Sequence, residues 1–227
     1  MNKIIVANWK LNPLTAHEAI NLASKIDVVS KYEVVICPPA PFIAVVDYMH
    51  KGAQDVSAQV KGPYTGQISA AQLASLDVRY CIVGHSERRA LGEKDEIINQ
   101  KIHSLLDYKI TPVLCVGYGT TVLQDELEVT DVLGGQLTSD LEGVDASKVI
   151  VAYEPVWAIG SGRPATPEHA EQISLYISTK FKVKSVLYGG SVNSTNSGEF
   201  LKQHHVGGLL VGGASLLPDD FNEIIAS

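Results

Sequence analysis

The chain has 227 residues, 45 % hydrophobic and 19 % charged, a composition that supports one sizeable core and excludes disordered, fibrous and membrane-spanning classes. Its net charge is −7, with no basic run, which speaks against nucleic acid and anionic membrane surfaces as partners. An anionic small substrate must therefore be drawn in by a local positive site.

From the N-terminus, the apolar stretch at residues 4–7 is too short for a secretory signal or a spanning helix, so the cytoplasm is the expected compartment. Further short apolar, β-branched runs follow at 34–37, 56–58, 80–83, 112–116, 149–153, 185–188 and 208–211. Several are apolar at consecutive positions, the pattern of strands buried on both faces. Between them, segments 16–26, 96–106, 167–181 and 218–225 carry helical spacing. Pro167 and Pro218 stand at first-turn positions, and Thr166 precedes the first of them, as helix starts require. Cys37, Cys81 and Cys115 are widely spaced in or beside apolar runs and read as reduced core residues. Eight strands alternating with helices, with no linker or charge block, predict an α/β fold. It would be a single (βα)8 barrel over residues 1–227.

In such a barrel the chemistry sits just past the C-terminal ends of the strands. The residues there are Asn8, Trp9 and Lys10 after strand 1, Gln59 after strand 3, and Gly84, His85, Ser86 and Glu87 after strand 4. Glu154 to Trp157 follow strand 6, Gly189, Gly190 and Ser191 follow strand 7, and Gly212 and Gly213 follow strand 8. A glycine pair alone is an ordinary tight turn. Two pairs after strands 7 and 8 point to bare backbone N–H groups holding a phosphate. A carboxylate at the end of a buried strand is costly unless it is paired or working, and apolar neighbours suit Glu154 to act as a base. His85 alone reads as a core histidine; its place at a strand end before a helix start shifts it toward function. Lys10 could be a solvated strand-end lysine, a phosphate partner or an imine-forming amine.

The strings NWK (8–10), VGHSERR (83–89), YEPVWAIGSG (153–162), YGGSV (188–192) and VGGASL (211–216) resemble triosephosphate isomerase, in its order and over nearly the whole chain. The resemblance implies an intramolecular aldose–ketose isomerase of glycolysis and gluconeogenesis, interconverting dihydroxyacetone phosphate and D-glyceraldehyde 3-phosphate through an enediolate. Glu154 would be the base and His85 the electrophile. Lys10 and Asn8 would stabilise charge on the substrate oxygens, and Glu87 would hold Lys10. Segment 155–166 would form a lid whose Gly160 N–H reaches the phosphate from above, with Ser191, Gly212 and Gly213 below. Ile159 and Leu210 would clamp the base. No metal or organic cofactor is implied, since proton transfer beside a carbonyl needs a base and an oxyanion site.

The resemblance also implies a homodimer in which Thr65, on the loop after strand 3, braces the partner's site. Counted from Gln59, that loop reads as shortened, and Gln67 stands where the family has a glutamate suited to an arginine such as Arg88. Both features predict a weak dimer. Tyr118 stands where a glutamate usually follows Cys-Val-Gly, and Arg163-Pro164 stiffens the rear of the lid. Two other readings stand beside the isomerase: a barrel aldolase with Lys10 as the imine former, and a sugar-phosphate binding module without catalysis.

Overall fold

Consecutive apolar residues along a strand need a partner on both faces, and a closed barrel supplies them. The computed structural model describes residues 3–27, 29–122, 126–158 and 164–227. Eight parallel strands close in chain order: β1 (Ile4–Asn8), β2 (Glu33–Cys37), β3 (Lys51–Ala53), β4 (Val78–Val83), β5 (Thr111–Val116), β6 (Ile150–Tyr153), β7 (Ser185–Tyr188) and β8 (Gly208–Val211). The ring is shut by β8 against β1, with Val6 opposite Leu210. Alternate residues fill the barrel interior, among them Val6, Val35, Ile82, Val113, Leu187 and Leu210. The residues between them, such as Ile5, Ile36, Leu114 and Val151, pack outward against the helices. At about 1.5–3 kcal/mol for each fully buried aliphatic side chain, these two layers hold the strand ends in fixed register.

The outer layer comprises α1 (Ala16–Ala23), α2 (Ala70–Ala74), α3 (Ser86–Ala90), α4 (Asp95–Asp107), α5 (Glu126–Asp140), α6 (Pro167–Phe181), α7 (Ser197–Leu201) and α8 (Pro218–Ala226). Thr166 caps α6 by accepting the His169 N–H, with Pro167 in the first turn, as the sequence predicts. Thr15 and Glu18 cap α1 reciprocally. All three cysteines are buried and free. Among the described residues no helix is long and apolar enough to cross a membrane.

Two features differ from the sequence reading. Strand 3 is not at 56–58 but at Lys51–Ala53, five residues earlier. Its centre is Gly52 because a Cβ there would lie 2.4 Å from Cys37 Sγ and 3.0 Å from Val35 Cγ1; neighbouring barrel side chains take the space. The loop after β3 therefore spans residues 54–69 and is not shortened in the way the count from Gln59 suggested. The second difference is in the link from β2 to β3, which holds a 3-10 turn (Ala40–Phe42) where the other units place an α-helix.

Candidate active site

The strand ends deliver their side chains to one cavity of about 240 Å3, reached by Asn8, Lys10, His85, Glu154, Gly189 and Ser191. Leu210, Gly212 and Gly213 complete its wall.

His85 is the N-cap of α3, and its Nδ1 accepts the Glu87 backbone N–H at 3.2 Å. With Nδ1 used as an acceptor, the ring proton resides on Nε2, which faces Glu154 Oε1 at 3.1 Å. Glu154 Oε2 accepts the Ser86 N–H at 3.3 Å. Burial disfavours the His85 imidazolium, the Glu154 carboxylate favours it, and the net displacement of the His85 pKa is upward. Glu154 itself is 3 % exposed and is fixed at the backbone by its N–H to the Val116 carbonyl at 2.8 Å. Gly117 has φ +119°, and a Cβ on it would come within 2.3 Å of the Glu154 carbonyl oxygen. Gly189 is confined less severely, its Cβ position lying 3.0 Å from Glu154 Cγ. Glycine at both positions leaves room for Glu154.

Across the cavity Lys10 holds a left-handed backbone, φ 53°, which L-residues adopt at a cost of about 1–2 kcal/mol. Its N–H donates to Asn8 Oδ1 at 3.1 Å, and Gln54 Nε2 donates to its carbonyl at 2.8 Å and to the Cys37 carbonyl at 2.9 Å. The ammonium pairs with Glu87 Oε1 at 2.7 Å. Burial opposes ionisation of Glu87, but Lys10 outweighs it and lowers the Glu87 pKa. Lys10 also lies over the glycine floor, its Cε 3.6 Å from where a Gly212 Cβ would be. Gly212 caps the 3-10 turn Gly213–Leu216, whose first N–H groups are left without intrahelical partners. The Lys10 ammonium above and the unpartnered amides at the start of the 3-10 turn below face the same end of the cavity.

A sequence profile described as Triosephosphate isomerase matches residues 3–227. The curated triosephosphate isomerase of Aquifex aeolicus is 40 % identical, with all of both chains covered. That of Paracidovorax citrulli is 41 % identical over 99 % of this chain and 98 % of its own, and that of Herminiimonas arsenicoxydans 38 % over 98 % of each. The chain belongs to the triosephosphate isomerase family. The alignment with the Aquifex aeolicus relative runs over 248 positions against the 227 residues here, so this chain spans that alignment with gaps.

Of the residues the family resemblance singled out, Asn8, Lys10, His85, Glu154, Ser191, Leu210, Gly212 and Gly213 all meet at the cavity. Glu87 stands behind Lys10. Ser191 is bound to the segment after β6: its N–H and Oγ both donate to the Ala158 carbonyl, at 3.0 and 2.6 Å. Ile159 and Gly160 lie outside the described residues, as does Arg163. Thr65 is exposed on the loop at 54–69. Gln59 is exposed too, and the residue that follows β3 into the site is Gln54. Gln67 accepts the Ser57 hydroxyl, while Arg88 pairs within its own chain with Asp55 at 3.2 Å and Glu93 at 2.9 Å.

Sequence reasoning missed Gln54, displaced with strand 3, and Tyr188, whose buried hydroxyl accepts the Ala165 N–H at 2.9 Å just before α6. Tyr188 was visible only as the first letter of its glycine string. Its ring stacks on Phe200 at 4.1 Å, which fixes that hydroxyl. Among the described residues no group of three or more His, Cys, Asp or Glu side chains is arranged to hold a metal ion.

Proposed function

We propose that this chain interconverts dihydroxyacetone phosphate and D-glyceraldehyde 3-phosphate by proton transfer through an enediolate, in glycolysis and gluconeogenesis. The observation that carries the reading is the pairing of His85 Nε2 with Glu154 Oε1 at 3.1 Å, on the rim of a small cavity floored by glycine backbone. A carboxylate beside an imidazole that donates through Nε2 is the pair of groups that triosephosphate isomerase uses as base and electrophile; here Glu154 draws the His85 pKa upward, and the Glu87 N–H on Nδ1 selects the Nε2–H tautomer.

The phosphate of the substrate would lie on Gly212 and Gly213, with the lid closing from above. Binding the carbonyl oxygen would take the Nε2–H of His85 away from Glu154 and free the carboxylate to remove a proton from the adjacent carbon. Lys10 and Asn8 would hold the developing enediolate charge inside a dry site, where fixed donors act most strongly. Glu154 would then return the proton to the neighbouring carbon while His85 moves protons between the two oxygens. Leu210, together with the lid residue Ile159, would keep the carboxylate dry. The sequence needs no metal or organic cofactor, because the only charge to be stabilised is one that these donors reach. The pairing of Lys10 with Glu87 disfavours the aldolase, since an imine-forming lysine needs a desolvated amine free of a carboxylate partner. The presence of base and electrophile together disfavours a mere binding module.

We further propose a cytoplasmic homodimer. A groove of about 960 Å3 runs beside the site past Asp55, Thr65 and Arg88 to Lys10 and Glu87, so a partner's loop docked in it would brace the catalytic floor. With strand 3 at Lys51–Ala53, the count from Gln59 no longer supports a weak dimer; Gln67, which stands where the family has a glutamate and accepts the Ser57 hydroxyl, remains the one ground for it. A coupled assay of glyceraldehyde 3-phosphate conversion over a protein dilution series tests function and assembly together. Turnover per chain is expected to be constant down to nanomolar protein. No conversion at any concentration would overturn the isomerase, and full turnover by a species that sediments as a monomer throughout would overturn the dimer.

A further inference from the structure

Both catalytic side chains leave the barrel from backbone that one buried guanidinium holds. Arg89, in α3 and 7 % exposed, donates through Nε to the Gly84 carbonyl at 2.8 Å and through Nη2 to the Cys115 carbonyl at 3.2 Å. Gly84 is the residue before His85. Cys115 is the residue before Val116, whose carbonyl accepts the Glu154 N–H at 2.8 Å, and Gly117, which wraps the Glu154 backbone, comes next. The same Nη2 donates to Asp140 Oδ2 at 2.6 Å, and Nη1 donates to Asp95.

The chain is shaped around this group. Gly84 has φ +66°, and a Cβ on it would lie 3.0 Å from Arg89 Nη2 and 3.3 Å from the Cys115 carbonyl. The guanidinium thus occupies the space that a larger residue at 84 would fill. The Asp140 side chain is fully buried, at the end of α5, and nothing polar meets its Oδ1. A buried carboxylate is retained at such a cost only when it does work for a partner. Burial, with the neighbouring Asp95 carboxylate, raises its pKa to about 7 against the pull of Arg89.

We propose that Arg89, anchored by Asp140, is the positioning residue that sets the His85–Glu154 separation by tying the ends of β4 and β5 together. It touches no substrate and lies outside the cavity lined by His85 and Glu154. A planar fork can serve two carbonyls and a carboxylate at fixed angles, whereas an ammonium cannot. This inference rests on the isomerase reading for its assay, but its second readout does not.

The test uses Arg89→Lys, which keeps a charge for Asp140, and the double variant Arg89→Met/Asp140→Leu, which removes the pair without stranding a buried charge. Steady-state kinetics and the imidazole NMR signals of His85 are measured in each, with inorganic phosphate as a competing ligand. We expect kcat to fall at least tenfold in both while KM and the phosphate inhibition constant stay within threefold, because the glycine floor is untouched. The His85 signals are expected to shift in both. Either variant, folded, with kcat within twofold of the parent and unmoved His85 signals would overturn the assignment. So would equal losses in kcat and in phosphate affinity, which would mean general loosening of the barrel. If the parent itself shows no isomerase activity, the function proposal fails while the NMR shift still decides the role of Arg89.

Discussion

Gln54→Met removes two donors and little volume. In the parent, Gln54 Nε2 donates to the carbonyls of Lys10 and Cys37 at 2.8 and 2.9 Å. Each such bond is worth about 0.5–1.5 kcal/mol net, so the pair contributes about 1–3 kcal/mol. The left-handed Lys10 backbone costs about 1–2 kcal/mol. The two terms are of one size, so the amide of Gln54 decides whether Lys10 stays in its strained pose over Gly212. Without it, Lys10 is expected to relax toward negative φ and carry its ammonium off the phosphate floor. A loss of about 1.4–2.8 kcal/mol of transition-state binding corresponds to about 10- to 100-fold in kcat/KM. Part of it should fall on KM, because in the proposed complex Lys10 meets the phosphate in the ground state too. Gln54→Glu, nearly isosteric but with oxygens facing two carbonyls, should be worse than Met. Coupled kinetics on the three proteins, with thermal melts alongside, check this. Variants within twofold of the parent in kcat/KM, or losses confined to the melting temperature, would refute the role given to Gln54.

Glu154→Gln keeps the shape but deletes the base, and kcat is expected to drop on the order of 10³-fold with KM little changed. The same variant removes the carboxylate that raises the His85 pKa and leaves the burial that lowers it, so the imidazole pKa should fall, as followed by NMR titration. Because a raised folded-state pKa adds stability that is full below the unfolded value and lost as pH rises through the folded one, the parent's stability should decline over that window and the variant's should not. Tyr188→Phe takes the acceptor from the buried Ala165 N–H, a penalty of about 1–3 kcal/mol. It should weaken binding of an enediolate-mimicking hydroxamate about tenfold or more, read by inhibition kinetics.

How much of this the sequence disclosed depends on where each residue's signal lies. His85, Glu154 and the glycine pairs are legible because each stands directly after an apolar run, so a barrel reading places them on one rim at once. β3 is not legible, since Lys51-Gly52-Ala53 carries no strand-like side chains. Its identity is set by the tight approach of Cys37 and Val35 to Gly52, which no local pattern records. The neighbouring Val56-Ser57-Ala58 has the better strand composition yet lies in a loop, and the error displaced Gln54 from view. α2, α3 and α7, of five residues each, are too short to establish a helical period. Arg89, through its Cys115 contact, and Tyr188 act on backbone groups more than twenty residues away, a relation that only the closed barrel creates.

The central claim is that Glu154 moves a proton between neighbouring carbons. It is tested most directly by converting D-glyceraldehyde 3-phosphate in deuterated water and reading the product by NMR. The account predicts dihydroxyacetone phosphate carrying solvent deuterium on its hydroxymethyl carbon, formed by the parent and at least about 10³-fold more slowly by Glu154→Gln. No isomerised product, equal rates in the two proteins, or a borohydride-trappable adduct on Lys10 would contradict it.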